Sequence, residues 1–206
     1  MVSNFEISQK RDIVLVPVGL NYDRVLEDRI LLKASKHSEG HFEFSLLSAL
    51  GFSLRQIWLR LTGRFNRFGY ASVSFGTPIS MRSFMETTDL KSSDRRTVLL
   101  GRKVMDEVSK VVPVLPVPLV ATVMRSAKSP MKEAEIQDLC TDLLVKLKCS
   151  GARVHVPEET QSYVIEHALE TLLNRKALRR HNSGIIVDNS EGNLIDFYAN
   201  SISHLI

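Results

Sequence analysis

Residues 13–24 read Ile13-Val14-Leu15-Val16-Pro17-Val18-Gly19-Leu20-Asn21-Tyr22-Asp23-Arg24. Six apolar residues, one of them a proline, run without alternation into a polar tip. A short β-branched run of this kind predicts a strand buried on both faces, as in a parallel sheet. Pro17 has no N–H to give to a ladder, so it belongs at the strand's end or at a bulge. The tip from Gly19 to Arg24 then emerges beyond the carboxyl end of a strand, where ligands bind in open α/β folds. The plainer reading is a core strand followed by a polar turn in which Tyr22 packs and Asp23 and Arg24 cap the next helix.

Outward from this stretch the chain divides near residue 86. Residues 24–33 form a charged, helix-like run, and 45–68 are amphipathic. Ala71 to Phe75 alternates as a strand ended by Gly76-Thr77-Pro78, and a short helix follows from Ser80 to Met85. Beyond a polar linker the pattern turns helical. Asp94 to Val111 forms one helix, and Pro118 is expected in the first turn of the next. Met131 to Lys148 is a third, with Ile136, Leu139, Leu143, Leu144 and Leu147 on one face and Gly151 as its cap. Residues 158–180 make a fourth, and 185–195 read as a β-hairpin around the turn 188–192. The expected fold is therefore α/β over residues 1–86 and mainly helical over 87–206, with a layout similar to a winged helix near the hairpin.

Composition sets broad bounds. The 206 residues are 44% hydrophobic and 24% charged, with a net charge of +4, ordinary values for a globular protein. The mild basicity is compatible with anionic lipid, acyl-CoA, acyl carrier protein or nucleic acid. Two cysteines, Cys140 and Cys149, build neither a disulfide framework nor a four-ligand zinc site, and both read as small apolar residues of a helix. The N-terminus lacks an apolar signal core. The stretch from Phe44 to Leu54 is well short of the roughly 20 residues that span a bilayer.

Three stretches together carry a resemblance. Val16-Pro17-Val18-Gly19-Leu20-Asn21-Tyr22-Asp23-Arg24 resembles the fourth signature block of the glycerol-3-phosphate acyltransferases. Residues 68–80, from Phe68 through Phe75-Gly76-Thr77-Pro78 to Ser80, resemble a strand of the same family. Tyr163 with Ile165-Glu166-His167-Ala168-Leu169, then Phe197-Tyr198, Asn200 and His204-Leu205, are similar to its C-terminal pattern. The resemblance implies transfer of a fatty acyl group from acyl-CoA or acyl carrier protein to glycerol 3-phosphate, the first step of phospholipid synthesis, with no resident cofactor or metal. It places Val16, Pro17, Val18 and Tyr22 on the acyl-donor side of the pocket, where a Tyr ring at a strand end can wall an apolar channel.

The family's His-x-x-x-x-Asp motif supplies a base and the carboxylate that orients it. The histidines here are His37, His41, His155, His167, His181 and His204, and none has Asp five residues later. The family's phosphate-binding blocks are absent as well. In the family these blocks precede the fourth one, so the resemblance implies the rear part of an acyltransferase, with its catalytic residues outside this chain.

Other constellations weigh less. Leu54, Ile57, Trp58, Leu61, Phe65 and Phe68 recur at helical spacing, with Arg55, Arg60, Arg64 and Arg67 around them. Arg and Trp beside an apolar stripe suit a helix lying in a lipid interface, and predict a peripheral contact at the cytoplasmic face of a membrane. A surface helix packed on the sheet is the competing reading, and Gly63 weakens a continuous helix. His37 and His41 lack the order of a zinc-protease motif and read as a polar loop. Arg175, Lys176, Arg179 and Arg180 near the hairpin suggest phosphate contacts in a nucleic-acid regulator, or a helix end complementing its dipole; no nucleic acid is expected, because this region carries the acyltransferase resemblance. His167 reads as a packing histidine. A non-catalytic partner of a separate acyltransferase chain is the remaining alternative.

Overall fold

Pro17 divides the apolar run into two short strands. In the computed structural model, which describes residues 10–25, 28–29, 31–32, 69–88 and 93–206, β1 is Val14–Leu15 and β2 is Val18–Tyr22. β1 pairs antiparallel with β4, Ile79–Ser80, and β2 pairs antiparallel with β3, Ala71–Phe75. Between them the Pro17 carbonyl accepts from Gly76 N at 2.8 Å, so the two ladders form one bent ribbon. The expected strand, buried on both faces in a parallel sheet, is corrected here. Its neighbours are antiparallel, and Val14, Val16, Val18 and Leu20 are exposed.

The ribbon runs directly into helix α1, Met81–Thr87. Ser80 caps it by accepting from Ser83 N, as short polar side chains do at helix starts. Met81 and Phe84 are buried against Leu100 of α2, Ser93–Ser109, with Ile13, Leu15 and Val104 packed alongside.

The larger core surrounds α3, Pro116–Ser126, which is buried from Pro116 through Met124. The helix begins two residues earlier than expected, at Pro116. Leu115 is extended, and both prolines fall in the first turn, where an N–H has no partner within the helix. Helices α4 (Glu133–Cys149), α5 (Gln161–Asn174) and α6 (Gly192–Asn200) pack around it. Ile136, Cys140, Leu144 and Leu147 of α4, Val164, Ile165, Ala168, Leu169 and Leu172 of α5, and Leu194, Ile195, Tyr198 and Ala199 of α6 form one cluster with it. Gly151, at φ +82°, ends α4, and the Ala152 N–H donates back to Leu147 O, a left-handed glycine stop.

Two boundaries near the C-terminus differ from expectation. The helix over 158–180 stops at Asn174, because Lys176 turns into the left-handed region at φ +61°. The hairpin is β5, Leu178–His181, with β6, Gly184–Val187, rather than 185–195. Asp188 accepts from Ser190 N and starts a 3-10 turn leading into α6. The local signal in 188–192 is therefore a helix start, not a hairpin turn. The whole is a mixed α/β chain of helices and small sheets. Among the described residues no helix is long and apolar enough to cross a membrane.

Candidate functional site

The Tyr-Asp-Arg tip ends β2 where the ribbon meets the helical core. Asp23 is 4% exposed. Its Oδ2 accepts from Tyr70 N at 3.0 Å, and its Oδ1 accepts from Val117 N at 2.9 Å. One carboxylate thus clasps the start of β3 and caps the N-terminus of α3, 94 residues away. This differs from the expected role of capping the helix that follows it. Burial raises the Asp23 pKa above 3.8, opposed by the two backbone N–H donors, as desolvation disfavours a charge. Gly69, at φ +81°, sits against the Asp23 side chain; a Cβ there would lie 2.6 Å from the Asp23 Cβ.

Asn21, also buried, donates from Nδ2 to Pro113 O at 2.8 Å and to Ser201 Oγ at 3.2 Å. Asp28 is fully buried. It takes a charge-assisted bond from Arg175 Nη2 at 2.6 Å and another from the Tyr198 hydroxyl. Arg175 also donates to that hydroxyl at 3.0 Å. Burial, then the bond to Asp28, pushes the Tyr198 pKa upward, so the phenol stays a donor. No spacing in the sequence predicts this network. The one signal for it is a Tyr on the apolar stripe of α6, whose hydroxyl must find a partner; the partner's identity is a tertiary fact.

A groove of about 600 Å³ opens in front of this network, lined in part by Tyr22, Leu32, Asn193, Asp196 and Phe197. Of the four residues assigned to the acyl-donor side, Tyr22 lies both on this groove and on the outer sheet face. Val16 and Val18 are exposed away from the groove, and Pro17 is buried inward, beside Gly76. Arg55, Trp58, Arg60, Arg64 and Arg67, and also His37 and His41, lie outside the described residues. His167 is exposed and stacks on Tyr163 at 6.4 Å, rather than packing in the core. Cys140 is buried, with its thiol pushed up to about 12 by burial, while Cys149 is exposed. Arg180 pairs with Glu133 and Glu170. No cluster of three or more metal-ligating side chains occurs among the described residues.

The family model of the glycerol-3-phosphate acyltransferase C-terminal region matches residues 53–206. The chain belongs to the glycerol-3-phosphate acyltransferase family. It is 28% identical to a glycerol-3-phosphate acyltransferase of Pseudomonas fluorescens (strain Pf0-1), over 98% of this chain and 25% of that protein. Proteins of the same name in Pseudomonas putida (strain W619) and Ectopseudomonas mendocina (strain ymp) are also 28% identical, with the same coverage. This member of the acyltransferase family thus spans about a quarter of the length of the relatives it matches.

Proposed function

We propose that this chain is the C-terminal portion of a protein that moves a fatty acyl group from acyl-CoA or acyl carrier protein to the hydroxyl of glycerol 3-phosphate in phospholipid biosynthesis. The observation that carries the reading is the family match over residues 53–206. The Asp23 clasp supports extending it upstream, since it binds the Tyr-Asp-Arg tip to Tyr70 and Val117 inside the matched region. Attack of an alcohol on a thioester needs a base to take the hydroxyl proton. No His of this chain has an Asp five residues on, so that base lies elsewhere in the working protein. Tyr22, at the end of β2 and on the groove, stands on the acyl-donor side, with Val16, Pro17 and Val18 as the run that places it.

On this reading the purified 206-residue chain does not acylate glycerol 3-phosphate. Incubation with radiolabelled glycerol 3-phosphate and palmitoyl-CoA is expected to give no lysophosphatidic acid, and turnover by the chain alone would overturn the assignment of the base. The same reading gives residues 55–67 a role at an anionic lipid surface. The chain is expected to sediment with phosphatidylglycerol vesicles, and to lose most of that binding when Arg55, Arg60, Arg64 and Arg67 all become Gln. Binding unchanged by those four substitutions would remove the electrostatic role.

A further inference from the structure

The Tyr198 hydroxyl is the hub of the buried network. It accepts from Val25 N at 3.2 Å and from Arg175 Nη1 at 3.0 Å, and it donates to Asp28 Oδ2. A phenol has one O–H to give and lone pairs for two donors, so this oxygen keeps nothing for a bound molecule. Its partners come from distant parts of the chain: Val25 and Asp28 follow β2, and Arg175 stands just past the end of α5. Arg29 closes the same joint. Its N–H donates to Asp28 Oδ1 at 2.7 Å, and its guanidinium donates to Arg175 O at 2.8 Å.

Tyr198 also lines the groove, beside Tyr22, Val25, Leu32 and Phe197. Among the described residues that line it there is no Lys or Arg, and the one charged side chain is Asp196. A phosphate finds no counter-charge on these walls. An apolar chain finds aromatic and aliphatic walls, the usual lining of a small-molecule site. We propose that Tyr198 is a positioning residue for the acyl chain of the donor. Its ring is one wall of the groove, and its hydroxyl, held by Asp28 and Arg175, fixes Val25, which lines the same groove. Walls fixed in advance spare the ligand the cost of ordering them. The proposal rests on the functional reading above, and it gives this groove the alkyl part of the donor rather than its phosphates.

Binding to the full 206-residue chain tests it without reading activity. Calorimetry measures the affinity for the thioether S-decyl-CoA and for CoA itself, so the difference between them belongs to the alkyl chain. The native chain is expected to bind S-decyl-CoA the more tightly. Tyr198→Phe keeps the ring and removes only the oxygen. It is expected to weaken S-decyl-CoA by about tenfold, as for the loss of one buried hydrogen bond, and to leave the affinity for CoA unchanged. Hydrogen exchange in the same variant is expected to quicken at the Val25 and Arg29 amides and not along α3. Unchanged affinity for S-decyl-CoA would overturn the proposal. So would an equal loss for both ligands, which marks general loosening, or unchanged exchange at Val25. Should Tyr198→Phe fail to fold, Arg175→Lys, which keeps the charge without the planar fork, is expected to show the same selective loss, and its absence overturns the proposal too. A native chain that binds CoA and S-decyl-CoA alike would remove the alkyl chain from this groove, and the proposal with it. Turnover of glycerol 3-phosphate by this chain alone would sink the functional reading's assignment of the base and leave the binding results standing.

Discussion

Asp23 shows how one side chain can tie together parts of a fold that lie far apart in sequence. Its carboxylate satisfies two backbone N–H groups, a buried one at Val117 and a part-buried one at Tyr70. Replacing it with Ala removes both bonds and leaves the buried Val117 donor orphaned, and an unsatisfied buried donor costs about 1–3 kcal/mol. Asp23→Ala is therefore expected to lower unfolding stability by about 1–3 kcal/mol, read from urea denaturation at pH 7; a change within the error of the measurement would refute the clasp. The pH dependence has a definite sign. Because burial raises the folded-state pKa above 3.8, the folded protein binds this proton more readily than the unfolded chain. The proton-linked part of that stability is thus fully present below 3.8 and is lost as pH rises through the raised folded value, leaving the contribution of the clasp itself at pH 7. The gap between the native chain and Asp23→Ala is expected to widen as pH is lowered toward 3.8, with other carboxylates cancelling in the difference. At this scale the sequence marked Asp23 but misassigned its partner, because a carboxylate looks the same whether it caps the next helix or one far along the chain. Asp28 had no marker of its own.

The elements were legible where a local rule acts alone. The strand Ala71–Phe75, the turn at Gly76, the short helix after Ser80 and the glycine stop of α4 all follow from nearby residues, and all appear within a residue or two of expectation. Boundaries set by a distant contact were missed. The stop at Lys176 and the hairpin that follows depend on Gly184 lying against Met131, whose N–H and carbonyl bond Ile185. The first predicted strand departs from expectation for a related reason: its apolar run predicts burial on both faces, yet the inner face of β2 is set by Gly19. A Cβ on Gly19 would stand 2.3 Å from the Val111 carbonyl oxygen, whereas one on Gly76 would meet side-chain atoms of Pro17 and Val111 at 3.1 Å and beyond. Backbone cannot yield as side chains do, and overpacking costs about 1–3 kcal/mol. Gly19→Ala is expected to fall in that range and Gly76→Ala well below it, both measured by chemical denaturation. The reverse order would show that β2 does not seat on the Val111 segment.

For the molecule as a whole, the mixed α/β character and the family are readable from three spaced stretches, while the way β2 meets the helical core is not. That joint is made of polar groups widely separated in sequence. Asn21 reaches Ser201 across 180 positions, and the Tyr198 hydroxyl reaches Asp28 across 170. Such separations have a kinetic meaning. Contacts of high sequence separation form late, because the loop entropy they close is large before any reward arrives. On a ribosome, Val18 to Asp28 would leave the tunnel long before α6 exists, with their apolar outer residues in water and their carboxylates without partners. The segment from β2 to Asp28 therefore waits for α6 to supply Tyr198 and Ser201, and in that interval it depends on chaperoning.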